Sequence, residues 1–254
     1  MTAGVDGNAP QAAAPPAEKP NPFQRIIGVF TAPTETFQSV GRRPDVTVPL
    51  IIQLVISLAI GIVMASHVDF ASAQREMMEE QGRSAAQIES ATKVGNAIGK
   101  AISYASPVLG AIAFLILSGI LHLSFRMFGG EQDYTRAFSA TVYAWFINTL
   151  QSIIMAVVML IRGGTVGAQE LPTVVRTNLA FLVDVKTNPV LFSIASNFDV
   201  FTIWYAVVLI IAFAAISRLS RGKSAGIIIG LYVIKILFGA GFAGLGAMMA
   251  SRAR

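Results

Sequence analysis

The chain has 254 residues, 54% of them hydrophobic and 13% charged, with a mean hydropathy of +0.64. Soluble domains carry about a quarter charged residues, so this composition excludes a soluble fold and points to a bilayer as the natural solvent. Zero cysteines and only two histidines exclude disulfides, a cysteine nucleophile and a multi-histidine metal centre, and a diffuse net charge of +5 favours anionic lipid headgroups over nucleic acid.

Residues 1–21 are rich in alanine and proline and hold no bulky apolar cluster. They can bury too little surface to offset ordering entropy, which predicts a disordered tail without a cleavable secretory signal. Residues 22–45 read as an amphipathic segment: Phe23, Ile26, Ile27, Phe30 and Phe37 recur at helical spacing, interrupted by Pro33, with Arg25, Arg42 and Arg43 supplying positive charge. Such a stretch suits a membrane interface, and equally a linker helix packed on the rest of the protein.

Five apolar runs follow within residues 46–250, at about 46–66, 105–125, 137–161, 200–217 and 225–250. Each reaches the roughly 18–20 residues that cross a hydrocarbon core about 30 Å thick, and a helix satisfies its own backbone there, as lipid requires. The predicted class is an all-α integral membrane protein with five transmembrane helices. Between the first two spans, residues 67–104 carry a stripe of Ile88, Ala91, Val94, Ala97 and Ile98, an amphipathic helix that can run on into the second span. Residues 162–199 open on a Gly163-Gly164 turn, and their apolar part is broken by Asp184, Lys186 and Asn188-Pro189, which favours a surface-lying or re-entrant piece over a sixth span.

An odd number of spans puts the termini on opposite sides. Lys and Arg in the connecting segments number nine on each side, so the bulk positive-inside count decides nothing. Locally, Arg42 and Arg43 precede the first span, Asp69 follows it, and Arg218, Arg221 and Lys223 crowd one short loop. This places the N-terminus in the cytoplasm and the C-terminus opposite, with the basic residues facing anionic headgroups or a partner.

Inside the spans, Lys235 is the most pointed feature, since a lysine near the bilayer centre costs on the order of 2.5–3.5 kcal/mol. It fits an ion or substrate contact in a water-filled cleft, with amide oxygens of Asn148 and Gln151 as partners if the third and fifth helices touch, or a side chain snorkelling to the interface. Asn148 and Gln151 alone fit interhelical hydrogen bonding, and His122 an interfacial ring or a proton relay. The glycines at 226 and 230 make a small-xxx-small match that fits packing within the chain or a homo-oligomer face. Ser217–Ser224 imitates a phosphate-binding loop without its first glycine or a preceding strand, so no nucleotide is expected. Asp199 is placed to cap the fourth span.

Three stretches carry a family resemblance: Phe30-Thr31-Ala32-Pro33-Thr34-Glu35-Thr36-Phe37 with Arg43-Pro44; Gly129-Gly130, Tyr134-Thr135-Arg136-Ala137-Phe138 and Tyr143-Ala144; and Asn197-Phe198-Asp199-Val200-Phe201-Thr202-Ile203-Trp204 followed by Ser217–Ala225. Their order resembles the bacterial branch of the Yip family (Ypt-interacting protein family), over roughly residues 23–250. The resemblance implies a five-span fold with a cytosolic N-terminus. Eukaryotic relatives are tied to Rab-type GTPases and vesicle traffic, machinery that bacteria lack. The combined expectation is a non-enzymatic scaffold or adaptor in the bacterial cytoplasmic membrane. It would have no cofactor or metal, and would bind anionic lipid, an unidentified membrane or cytoplasmic protein, or a second copy. The alternative is a small transporter or channel component using Lys235, Asn148 and Gln151.

Overall fold

The computed structural model describes residues 21–185 and 187–252, so the tail expected at 1–21 lies, except for Asn21, outside the described residues. The Asn21 side chain accepts the Phe23 amide at 3.0 Å and opens helix α1 (Pro22–Thr31), where Pro22 sits at the one turn that tolerates proline. Pro33 cannot extend α1 and instead starts α2 (Pro33–Arg42). The pair packs on the helical bundle. Val29, Phe37 and Val40 are fully buried, α2 packs along the fourth span, and Phe23 and Ile27 stay exposed. Most of the segment is thus packed on the rest of the protein, with two of its large apolar side chains left outside.

Among the described residues, five helices are long and apolar enough to cross a membrane. The first, α3 (Thr47–His67), runs into β1 (Val68–Asp69), then α4 (Ser72–Glu80) and α5 (Ala85–Tyr104). A capping box between Ser84 and Gln87 starts α5. The stretch expected to run into the second span does so with a break at Ala105, after which Pro107 stands in the first turn of α6 (Ser106–Met127). The third span is likewise two helices, α7 (Tyr134–Ala144) and α8 (Phe146–Arg162), meeting at Trp145. Residues 163–185 and 187–199 lie back at the far end as β2 (Val166–Gly167), α9 (Leu171–Val174) and α10 (Pro189–Ala195) rather than crossing. The last spans are α11 (Val200–Ser217), capped by Asp199 as predicted, and α12 (Arg221–Arg252).

The main core sits at the N-terminal end, where α2, α6, α7, α11 and the first turns of α12 converge. Phe125 and Phe213 lie 4.6 Å apart, Trp145 meets Tyr205 edge-on, and Val40, Tyr143, Leu209 and Ile228 fill the space between. The inner face of α3 instead buries Pro49, Gln53, Gly61 and Ala65, while Ile51, Val55, Leu58 and Ile62 face outward. That inversion follows from an apolar solvent: lipid accepts large apolar side chains, and contact between helices needs small or hydrogen-bonded ones. A Cβ at residue 61 would run into the Ser103 carbonyl, so only glycine lets α3 cross the α5–α6 elbow.

At the far end, β1 pairs with β2 in parallel, Val68 beside Val166, tying the loops after the first and third spans. Asp69 organises this clasp. Its carboxylate accepts Arg75 at 2.6 Å, Asn96 at 3.0 Å and the Ala71 amide at 3.1 Å. Burial pushes its pKa up, but those hydrogen bonds and the Arg75 charge outweigh burial and hold it below the usual carboxylate value. A lowered folded pKa means that Asp69 stabilises the fold above its unfolded value of about 3.9, and that this contribution is lost as pH falls through the folded value. Asp69→Asn should therefore cost about 1 kcal/mol at neutral pH in detergent unfolding, and its gap to wild type should close on acidification. A gap that stays constant down to low pH would contradict this role.

Candidate functional site

The N-terminal end is assembled around one buried cation. Arg25 is 4% exposed, and its guanidinium donates to the Asp45 carboxylate, to the Arg43 carbonyl at 3.0 Å, and to the Ser39 carbonyl and hydroxyl at 3.2 and 2.9 Å. Asp45 in turn accepts the Tyr143 hydroxyl at 2.8 Å, and its backbone carbonyl accepts Ser139 at 2.7 Å. This network joins α1, α2, the start of α3 and α7. The expectation that Arg25 faces lipid or a partner is thus corrected: its guanidinium is buried, with an acid and three backbone or hydroxyl acceptors bonded to its Nη groups, charge-assisted bonds that are stronger than neutral ones. The available signal was Asp45 itself, the single acid between Glu35 and Asp69, directly before an uncharged span.

The other predicted cations do gather outside. Arg42 and Arg43 are exposed at the end of α2, Arg218 at the end of α11, and Arg221 and Lys223 at the start of α12. Arg218 ion-pairs with Glu131 at 2.8 Å, and Arg221 donates to Thr34 at 3.3 Å, bridging α12 to α2. Arg136, which sequence reasoning did not single out, is anchored between elements: its Nε donates to the Gly41 carbonyl at 2.8 Å and its Nη1 pairs with Asp133 at 2.9 Å. Two of these charges oppose their own helix, because a helix N-terminus carries partial positive charge and favours acids. Arg221 and Lys223 occupy the first turn of α12, where no acid is present.

The intramembrane polar residues are not brought into one path. The Lys235 side chain is exposed on α12, its ammonium 5.4 Å from the Tyr232 ring on the same helix. Helix α12 packs along α11 and α10, whereas α8, which bears Asn148 and Gln151, packs along α3 and α11. Gln151 opens instead into a cavity of about 350 Å³ at the far end, shared with Thr177, Asn178, Asp199 and Thr202. The Asp199 carboxylate there is occupied by the Phe201 and Thr202 amides and the Thr177 hydroxyl. His122 is half-buried with its ring edge-on to Tyr134, centroids 5.9 Å apart. Gln53 was missed. It is 4% exposed, accepts Thr149 at 2.6 Å and donates to the Val142 carbonyl at 3.4 Å, and its signal was a lone amide in an otherwise apolar span. Of the two glycines in the small-xxx-small match, neither touches another element, whereas Gly239 and Gly244 lie against α10. Among the described residues no group of histidine and acid side chains could hold a metal.

Comparison with known proteins gives a consistent result. The Yip1 domain family matches over residues 27–243. Membrane protein YknW of Bacillus subtilis (strain 168) is 26% identical over 228 residues, covering 87% of this chain and 90% of that protein. No solved structure matches.

Removing one partner of a buried, hydrogen-bonded ion pair leaves an unpaired charge and costs about 3–5 kcal/mol. Because Asp45 is partly open, Arg25→Ala should fall near the lower end of that range in detergent unfolding. Tyr143→Phe, which removes a single hydroxyl donor to a carboxylate, should cost about 1.5–3 kcal/mol. Equal stability of Arg25→Ala and wild type would remove this network from the fold's supports.

Proposed function

The chain belongs to the Yip1 domain family, and we propose that this multi-pass membrane protein acts as a non-enzymatic scaffold or adaptor. It docks protein partners or organises lipid at the N-terminal end of its bundle, in a bacterial cytoplasmic membrane with that end in the cytoplasm. One observation carries this reading. Arg42, Arg43, Arg218, Arg221 and Lys223 are all exposed at one end, and two of them stand where the α12 dipole disfavours cations. Charges held against the local preference of their helix serve an external anionic surface, and cytoplasmic cations near span ends fit the positive-inside pattern.

Because Val29, Phe37 and Val40 belong to the core, residues 22–42 are part of the docking end rather than a detachable arm. The test therefore leaves them in place. In native membranes, cross-linking from a photoreactive residue at position 43 should capture a defined protein in wild type. Capture should fall at least severalfold in Arg221→Gln/Lys223→Gln, while that variant unfolds at the wild-type temperature. Undiminished capture would remove the adaptor reading's main support.

A transporter or channel component remains the second reading, favoured by the Gln151 cavity beside Asp199 and Thr202. The cysteine-free chain makes a direct check available. If the protein is a scaffold, Asn148→Cys should resist a membrane-impermeant thiol reagent added from the far side. Ready labelling would extend that cavity to mid-membrane and favour a path.

A further inference from the structure

We propose that the N-terminal end contains a built binding site for the phosphate of an anionic membrane phospholipid, in a cleft between α2, α7 and the α11–α12 junction. The proposal deepens the docking reading by naming a lipid ligand, and it rests on that reading for placing this end at the membrane surface.

The cleft measures about 420 Å³ and is lined by Gln38, Gly41, Arg42, Glu131, Arg136, Ala215, Ile216 and Arg218. Its depth selects a lipid. The third span begins at Tyr134 and the fourth ends at Ser217, so the cleft lies at the ends of two membrane-crossing helices, at headgroup level. Ala215 and Ile216, in the last turn of α11, supply its apolar lining.

Three guanidinium groups converge there under different constraints. Arg136 is fixed by the Gly41 carbonyl and Asp133, which uses Nε and Nη1 and leaves its other N–H donors for a ligand. Arg218 sits at φ +62°, a left-handed backbone that helix ends usually give to glycine. An arginine kept in that conformation trades backbone ease for a side chain over the cleft. Its pair with Glu131 is solvent-exposed, 80% and 62% for the two side chains, so the pair is weak and readily exchanged for a better anion. Arg42 has no bonded partner among the described residues. Against the three cations stand Glu131 and Asp133, which leaves one positive charge uncompensated, with Arg43, Arg221 and Lys223 adding to the local field. A phosphodiester meets this arrangement well, because guanidinium forks bind phosphate oxygens in pairs.

The test follows thermal unfolding of the full chain, delipidated in neutral detergent, during titration with short-chain phosphatidylglycerol, phosphatidylcholine or inorganic phosphate at matched ionic strength. Phosphatidylglycerol should raise the unfolding temperature at concentrations where the other two do not. In Arg42→Gln/Arg218→Gln, whose side chains are exposed and outside the core, the midpoint of that effect should move up by roughly thirtyfold. Arg221→Gln/Lys223→Gln should move it far less. A response to inorganic phosphate equal to that of phosphatidylglycerol overturns the lipid assignment in favour of a soluble anion. Equal weakening in both double variants, or no response to phosphatidylglycerol, overturns the cleft. If Arg42→Gln/Arg218→Gln keeps the wild-type lipid response but loses the partner cross-link, the cleft belongs to an acidic protein segment instead. Loss of the cross-link in Arg221→Gln/Lys223→Gln with the lipid response intact leaves both the cleft and the adaptor reading standing.

Discussion

The contact between Arg25 and Asp45 is the constraint around which the N-terminal end is arranged. Taking a guanidinium out of water is costly, and one carboxylate seldom offsets it. Here Ser39 and the Arg43 carbonyl add bonds to the Arg25 Nη groups and Tyr143 adds one to Asp45, while Arg25 Nε is left without a partner. Every one of those groups lies on a different turn or helix, so satisfying one cation fixes the position of α1 on α2, of both on the start of α3, and of all three on α7. The apolar core formed by Phe37, Val40, Phe125 and Phe213 packs beneath this frame. Buried polar networks contribute most to a structure when every member is satisfied; here both Nη groups of Arg25 are bonded while its Nε has no partner, and the exposed arginines of the same end take no part in the network.

The spans themselves obey a different rule. In a bilayer the surroundings are as apolar as any core, so helix association depends on close approach and hydrogen bonds rather than on burial of large side chains. Gly61 against the Ser103 carbonyl and Gln53 with Thr149 are the two forms that this takes along α3. Most large apolar residues of α3, and of α12 beyond Ile228, face outward, which in water would signal an interface and in lipid signals solvation.

Much of this fold is legible in the sequence, because uncharged runs of 18 residues or more have few other uses. The Asp199 cap and the return of residues 163–185 and 187–199 without a sixth crossing were legible too, since caps and breakers act locally. The rest depended on contacts distant in sequence. Arg25 lies in an amphipathic segment, where a cation reads as surface; its partner follows 20 residues later and Tyr143 a further 98 after that. Gln151 and Lys235 seemed natural companions by depth alone, but depth does not specify which helices touch, and α8 and α12 lie along different neighbours. The cleft formed by Arg42, Arg136 and Arg218 joins three separate segments, so no local pattern announces it.

Helix α12 has a consequence for the surrounding bilayer. Its 32 residues extend about 48 Å at 1.5 Å each, against a hydrocarbon thickness of about 30 Å. The excess must be taken up by tilt or by turns standing clear of the acyl chains. The first turn of α12 is bonded to α2 through Arg221 and Thr34, and further along Gly239 and Gly244 lie against α10, so a change in tilt is felt at both contacts. A thinner membrane leans the helix further over, and the lean is referred back to the turn that carries the basic residues.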